Sequence, residues 1–229
     1  MVREFFFNGL GSYTDLGLYI ELIENIQFPI KQYDLIDIAG GETLSIEGNE
    51  TDITIEYSLV SRNKGIEYVN RIRKWLYDIK DFKLIDTSEP TLYYKVKKIE
   101  CEGVDTMSQQ GTRVKISFTC SNYRKYVQEE LLTIVAPTSI YNYHDIASKP
   151  YIKIYGNGDI NLNINNNVTQ LRGVADYIEL DGELQDCYKD NQLCNNKMVG
   201  DFPSLSSGLN NISWSGNISK LEILPRYRV

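Results

Sequence analysis

Basic residues are in the minority here, and histidine is almost missing. The 229 residues hold 24 Lys and Arg against 31 Asp and Glu, with one His, for a formal charge of −7 and a pI near 4.9. Proteins that grip nucleic acid do so by neutralising phosphates with Lys and Arg, so this balance excludes that class. An anionic surface instead suits a path along which DNA must slide, because like charges repel. Long apolar runs are also absent, and nothing approaches the roughly 20 residues that span a bilayer. The opening "MVREFFFNGLGSYTDLG" has neither an apolar h-region nor a small-residue cleavage site. The expectation is a chain made and used without secretion, and with no membrane partner. Cysteine is sparse: Cys101, Cys120, Cys187 and Cys194. The pair in "CYKDNQLC" lacks the two-residue spacing of a zinc knuckle and has no histidine nearby. Cys101 and Cys120, inside strand-like runs, read as small buried hydrophobes in a reducing cytoplasm. No metal and no cofactor is expected.

Catalytic signatures are missing as well. There is no G-x-S-x-G elbow, no P-loop and no dinucleotide fingerprint, and "GNGD" falls between alternating runs rather than at a helix start. Carboxylate pairs such as Asp34/Asp37 and Asp181/Glu183 read as solvated edges in so acidic a chain. Glycosidase chemistry would need two carboxylates converging across a sugar. The lone His144, among Tyr141, Tyr143 and Asp145, reads as a solvated or interface residue. No enzyme is expected.

What the chain does have is β grammar. "ITIEYSLV" puts Ile53, Ile55, Tyr57 and Leu59 on one face and Thr54, Glu56 and Ser58 on the other, the mark of a half-buried strand. One segment breaks the pattern: "GIEYVNRIRKWLYDIK" spaces Ile66, Val69, Ile72, Trp75, Leu76 and Ile79 as a helix over about 65–79. Trp75 is then a core anchor under a sheet. "RVKISFTC" and "KVKKIEC" read as two strands joined by a polar loop. In the last third, "YIKIYGNGDINLNINNN" alternates throughout, with Gly156-Asn157-Gly158 read as a hairpin turn. The closing "NNISWSGNISKLEIL" reads as another hairpin, with Ile212, Trp214, Ile218, Leu221 and Ile223 facing inward and Trp214 in the core. Short antiparallel strands without a helix imply a β-sandwich or jelly roll. The fold class is therefore mainly β with one helix. The expected domains are 1–135 and 151–229, with 136–150, punctuated by Pro137 and Pro150, as the linker.

The order of these elements resembles the distal tail protein family of long-tailed bacteriophages, the hub of the tail tip or baseplate. "FFFNGLGSYTDLGLYI" resembles that family's opening. "IAGGETL", followed by the "ITIEYSLV" strand and the "VNRIRKWL" helix, resembles its ring-forming half. "GDFPSLSSGLNNISWSGNISKLEILPRYR" is similar to its closing pattern of Gly-x-Phe-Pro-x-Leu, Gly-x-Asn and a final Pro-Arg-aromatic-Arg. The likeness covers nearly the whole chain. Two departures stand out. Gly40 and Gly41 are adjacent, where the family usually carries a charged residue between glycines. The stretch after Pro150 is also too short for the carbohydrate-binding insertion that some members carry.

The resemblance implies an N-terminal split-barrel-like β domain that forms a homo-hexameric ring, and a C-terminal galectin-like β-sandwich. It implies tail tube protein above, a tail-associated hub or lysin protein below, and in some phages receptor-binding proteins at the side. It places the protein in the virion tail, made in the host bacterial cytoplasm, with DNA passing through a central channel. Six copies at −7 each would carry −42. The segment between Pro29 and Thr51 is the candidate intersubunit arm, with Leu35, Ile36, Ile38, Gly40 and Gly41 at the interface. An ordinary intramolecular hairpin is the competing reading. Arg226 and Arg228 are candidates for a partner contact, against a solvated tail. The alternative function is a galectin-like carbohydrate-binding module, which the 17 tyrosines would equally serve.

Overall fold

The computed structural model describes residues 2–26, 29–38, 42–105 and 111–229, with residues 25, 34–38, 42–49 and 104 described by backbone alone. The chain divides into two compact units, Met1–Arg124 and Lys125–Val229.

The first unit runs β1 (Phe5–Phe7), β2 (Leu10–Gly11), β3 (Tyr19–Ile26), β4 (Lys31–Ile38), β5 (Glu42–Glu50), β6 (Ile53–Ser61), α1 (Ile66–Tyr77), β7 (Lys83–Asp86), β8 (Leu92–Asp105) and β9 (Thr112–Tyr126). Seven of these strands form one sheet in the order β2-β1-β7-β8-β9-β6-β3. Alternation sets its inner face. In the antiparallel β6–β9 pair, Ile55 lies opposite Phe118, Tyr57 opposite Ile116 and Leu59 opposite Val114, and all six are buried. Cross-strand apolar pairs of this kind are the unit of sheet stabilisation.

Helix α1 covers that face with Tyr68, Ile72, Trp75 and Leu76. Its periodicity places it as the spacing predicts, except that it ends at Tyr77, short of Ile79, and that its first turn differs. Ile66, in the first turn, is exposed. Its place is taken by Tyr68, whose hydroxyl donates to the Leu16 carbonyl at 2.7 Å. Trp75 is the expected anchor: its ring packs on Phe5 and Phe7 and its indole N–H donates to the Phe7 carbonyl at 2.8 Å. Asn8, in left-handed backbone at φ 51, closes the far end of the helix. Its amide donates to the carbonyls of Trp75 and Asp78, and its Oδ1 accepts from the Lys80 N–H at 2.7 Å. Orphan carbonyls at a helix terminus need such partners.

The second unit contains β10 (Leu132–Ile134), β11 (Thr138–Asn142), β12 (Tyr151–Ile164), β13 (Asn167–Val174), β14 (Tyr177–Asp181), β15 (Asp186–Lys189), β16 (Gln192–Leu193), β17 (Met198–Val199) and β18 (Gly208–Leu224). Its frame is the pair of long antiparallel strands β12 and β18. One half of the pair matches Tyr151–Asn157 with Leu224–Asn217, and the other matches Asn161–Ile164 with Ser215–Ile212. β10 and β14 flank the first half; β11 and β13 flank the second. Ile152, Ile154, Leu221 and Ile223 from the first half share one core with Ile160, Leu162, Ile164 and Ile212 from the second. Both strands therefore bend and pass from one layer to the other, as strands at a sandwich corner do.

This corrects the sequence reading of two hairpins. Neither Gly156-Asn157-Gly158 nor Gly216 is a turn; both are bulges in continuous strands, at the register shift between Asn157 and Asn161. Gly158 (φ 82) and Gly216 (φ 100) hold backbone that other residues rarely adopt, and a bulge needs such a residue as much as a hairpin tip does. Trp214 is consequently only half-buried and packs against the rim of the core. The expected linker 136–150 differs too. It contains β11, which pairs with β18, and Ser148, which exchanges backbone hydrogen bonds with Leu205.

Candidate assembly surfaces

In the first unit, β3 ends the seven-stranded sheet. Its partner is β6, and its other edge has no strand among the described residues. That edge carries Tyr19, Leu22 and Ile26, each more than a third exposed, and Ile30 and Tyr33 continue the apolar run. An open edge with apolar side chains is a template for pairing with another chain.

Between β3 and β6 the chain leaves the sheet. β4 and β5 pair antiparallel with each other, from Lys31↔Glu50 to Ile38↔Glu42, and form a two-stranded sheet of their own. Its neck is closed at Ile30, whose N–H donates to Thr51 Oγ1 at 3.0 Å and whose carbonyl accepts from the Thr51 N–H at 2.9 Å. At about 3.4 Å per residue, the 8-residue β4 reaches about 25 Å. An isolated two-stranded hairpin is marginal in water unless something packs against it.

In the second unit, the segment after β18 is fastened down. Arg226, at φ 53, places its guanidinium in a fork on Asp181 at 2.6 and 2.9 Å. Asp181 is 4% exposed, and its Oδ1 also accepts the N–H groups of Glu183 and Leu184. Burial alone would raise that carboxyl, but the arginine fork and the two amides more than offset it and hold Asp181 below the usual carboxylate range. Lys125 pairs with Glu183, and Arg228 approaches the same carboxylate at 3.9 Å.

An open cleft of about 520 Å³ borders this segment at Pro225 and Tyr227. Tyr126, Tyr141, Tyr143 and Tyr227 line it, with His144 between the rings of Tyr126 and Tyr227 at centroid distances of 5.7 and 5.8 Å. Glu129 and Glu130 complete its rim. Among the described residues no group of three or more His, Cys, Asp or Glu gathers to hold an ion. No described helix is long and apolar enough to cross a membrane. The four cysteines are free, and burial pushes the thiols of Cys120 and Cys187 up to about 12, far from a reactive thiolate.

No protein-family model matches this sequence, and no curated protein does. Solved structures do. The crystal structure of the Dit protein (gp 19.1) of phage SPP1, described as a paradigm of the hub adsorption apparatus in phages infecting Gram-positive hosts, aligns over 100% of both chains with a TM-score of 0.70 at 10% identity. The chain has the Dit fold. A chain of the phage p2 baseplate, in its activated conformation with Sr, aligns over 97% of both chains with a TM-score of 0.54 at 14% identity.

Within this Dit fold the residues singled out from the sequence fall as follows. Leu35, Ile36 and Ile38 lie on β4, where Leu35 pairs with Ser45 and Ile36 with Leu44. Gly40 and Gly41 lie outside the described residues. Trp75 is buried and Trp214 half-buried. Arg226 does not lie in a solvated tail, because Asp181 holds its guanidinium. Arg228 is likewise engaged, its backbone bridging to Lys125 and Ile146. Asp181, read from the sequence as part of a solvated carboxylate edge, is instead buried under Arg226, and nothing in the sequence singles out Asn8. Their partners sit 45 and 67 or more residues away, and no local spacing announces them.

Proposed function

We propose that the chain is a structural subunit of a phage adsorption apparatus, located at the tail tip and working as a hub rather than as a catalyst. The observation that carries this is the end-to-end likeness to the SPP1 Dit protein, through both units and without a large insertion. In this reading six copies close into a ring, the arrangement that leaves no sheet edge exposed. The β4–β5 hairpin is the arm: it packs against the neighbouring subunit, which supplies the partner its strands lack in the monomer. The β3 edge, with Leu22 and Ile26, belongs to the same interface. The ring joins tail tube protein on one side to a tail-associated hub or lysin protein on the other, with receptor-binding proteins at the periphery. DNA passes through its acidic centre without specific contact. Synthesis takes place in the host bacterial cytoplasm.

The test is native mass spectrometry and negative-stain imaging of the purified chain, beside a variant lacking residues 31–50 with Ile30 and Thr51 joined by Asn-Gly. Their reciprocal hydrogen bonds make that closure short. The full chain should give six-fold rings with an open centre, and the variant should give folded monomers. Rings that survive the deletion would remove the arm assignment. A full chain that stays monomeric at micromolar concentration and is retained on a glycan column would replace the ring with the carbohydrate-binding module.

A further inference from the structure

The second unit builds one side-chain arrangement three times: a tyrosine ring, a carboxylate and a cation held between them. Arg226 lies over the Tyr151 ring at 5.7 Å while gripping Asp181. Lys153 lies over Tyr177 at 4.0 Å and pairs with Glu179 at 2.9 Å. Lys220 lies over Tyr155 at 4.2 Å and pairs with Glu222 at 2.6 Å. Rings attract cations through their quadrupole, and a carboxylate beside the ring adds to the attraction.

The cleft has the same composition without the cation. Four tyrosines share its walls with Leu132, His144 and Pro225, and its rim carries Glu129 and Glu130, with no Lys or Arg lining it. No described ion pair includes either glutamate; Lys125 and Arg226 pair with Glu183 and Asp181, though their charges also reach Glu129. Glu129 Oε2 accepts the Arg226 backbone N–H at 2.9 Å, but its Oε1 is buried with no hydrogen-bond partner. Burial also raises the Glu129 carboxyl, the backbone amides of Arg226 and Tyr227 and the charge of Lys125 offsetting this only in part. A cation in the cleft would favour that group through its charge, while the direct contact falls to the exposed Glu130.

We propose that this cleft is a docking site for an arginine side chain carried on an extended segment of another protein. A planar guanidinium stacks on tyrosine faces and donates in a fork to carboxylate, which suits this lining better than an ammonium does. The volume lies within the range of specific ligand sites and admits the side chain with its flanking backbone. The inference gives the chemistry of one partner in the assembly proposed above. It can fail while that assembly stands, because its test uses neither ring formation nor residues 31–50.

The probe is acetyl-Gly-Arg-Gly-Arg-Gly-amide, titrated into the full-length protein and followed by amide NMR shifts, with the Gln-for-Arg peptide as control. Saturable shifts at Tyr141, Tyr143 and His144 are expected, with Kd on the order of 1 mM for so short a peptide. Glu130→Gln and Tyr143→Ala, both at exposed positions, should each weaken binding about three-fold. Glu129→Gln should weaken it further, and the other two variants carry the test if that one misfolds. Three results would overturn the proposal: equal binding of the Gln peptide, no shifts at 10-fold excess over about 1 mM, or shifts at the same residues produced by N-acetylglucosamine or lactose but not by the arginine peptide.

Discussion

Gly158 and Gly216 lie in the bulges of β12 and β18, and replacing each by alanine separates two costs. At Gly158 a Cβ would meet nothing within 4 Å, so only the left-handed backbone (φ 82) opposes the change, about 1–2 kcal/mol. At Gly216 (φ 100) the same Cβ would lie 2.5 Å from the Asp159 carbonyl oxygen and 3.1 Å from Ile160 Cα. Both are backbone atoms of the paired strand and cannot swing aside as a side-chain tip could. The strands must separate or re-register there, which adds about 2 kcal/mol, for about 3–4 kcal/mol in all. Urea unfolding reads the difference. Trp214 sits two residues from Gly216 on β18, and a Trp75→Phe background removes the other indole. With a slope of about 1–2 kcal/mol per molar urea, the Gly216→Ala midpoint should fall about 1–2 M below that of Gly158→Ala. Equal midpoints for the two variants would refute the bulge geometry, since a glycine at a free hairpin tip would show the backbone cost alone.

Arg226→Gln leaves the nearly buried Asp181 without its fork, and breaking such a pair costs about 3 kcal/mol, seen as a lower urea midpoint for the second unit. The pH dependence has a definite sign. Because the folded Asp181 carboxyl is depressed, its contribution is complete above the ordinary carboxylate value of about 3.9 and is lost as pH falls through the lower folded value. Wild type should therefore lose stability in acid more steeply than the variant; parallel acid profiles would count against the clasp. Asn8→Ala removes the hydrogen bonds at the end of α1, and the first unit should lose about 1–3 kcal/mol. Asn8→Gly relieves the left-handed strain of the alanine but not the lost amide, so it should recover about 1 kcal/mol and leave the hydrogen-bond loss in the same denaturation assay.

The elements themselves were legible because each follows a local period. Alternation in "ITIEYSLV" and the helical spacing around Trp75 report a face that must be buried, and the chain has one way to bury each. The register of distant pairings was not. Gly-Asn-Gly and Ser-Gly-Asn carry the same φ > 0 chemistry whether the chain reverses or merely bends. Only the presence of a partner strand along the full 17 residues of β18 separates the two. Residues 138–142 looked like linker because their partner, Gly208–Ile212, lies far along the chain. For the assembly surfaces, the segment 29–51 stood out by its glycines and apolar residues. The Arg226 clasp did not, since its acid is on β14 and nothing in "PRYRV" names it.

Sharing β12 and β18 between the two layers removes any fault line in the second unit. A sandwich made of two separate sheets can open like a book, each cover keeping its own ladder. Here, prising the covers apart would tear the same two strands at their bend, so the layers must melt together or not at all. Tension drawn along those strands meets the whole ladder in shear instead of unzipping it rung by rung. A module with that construction keeps its shape under load.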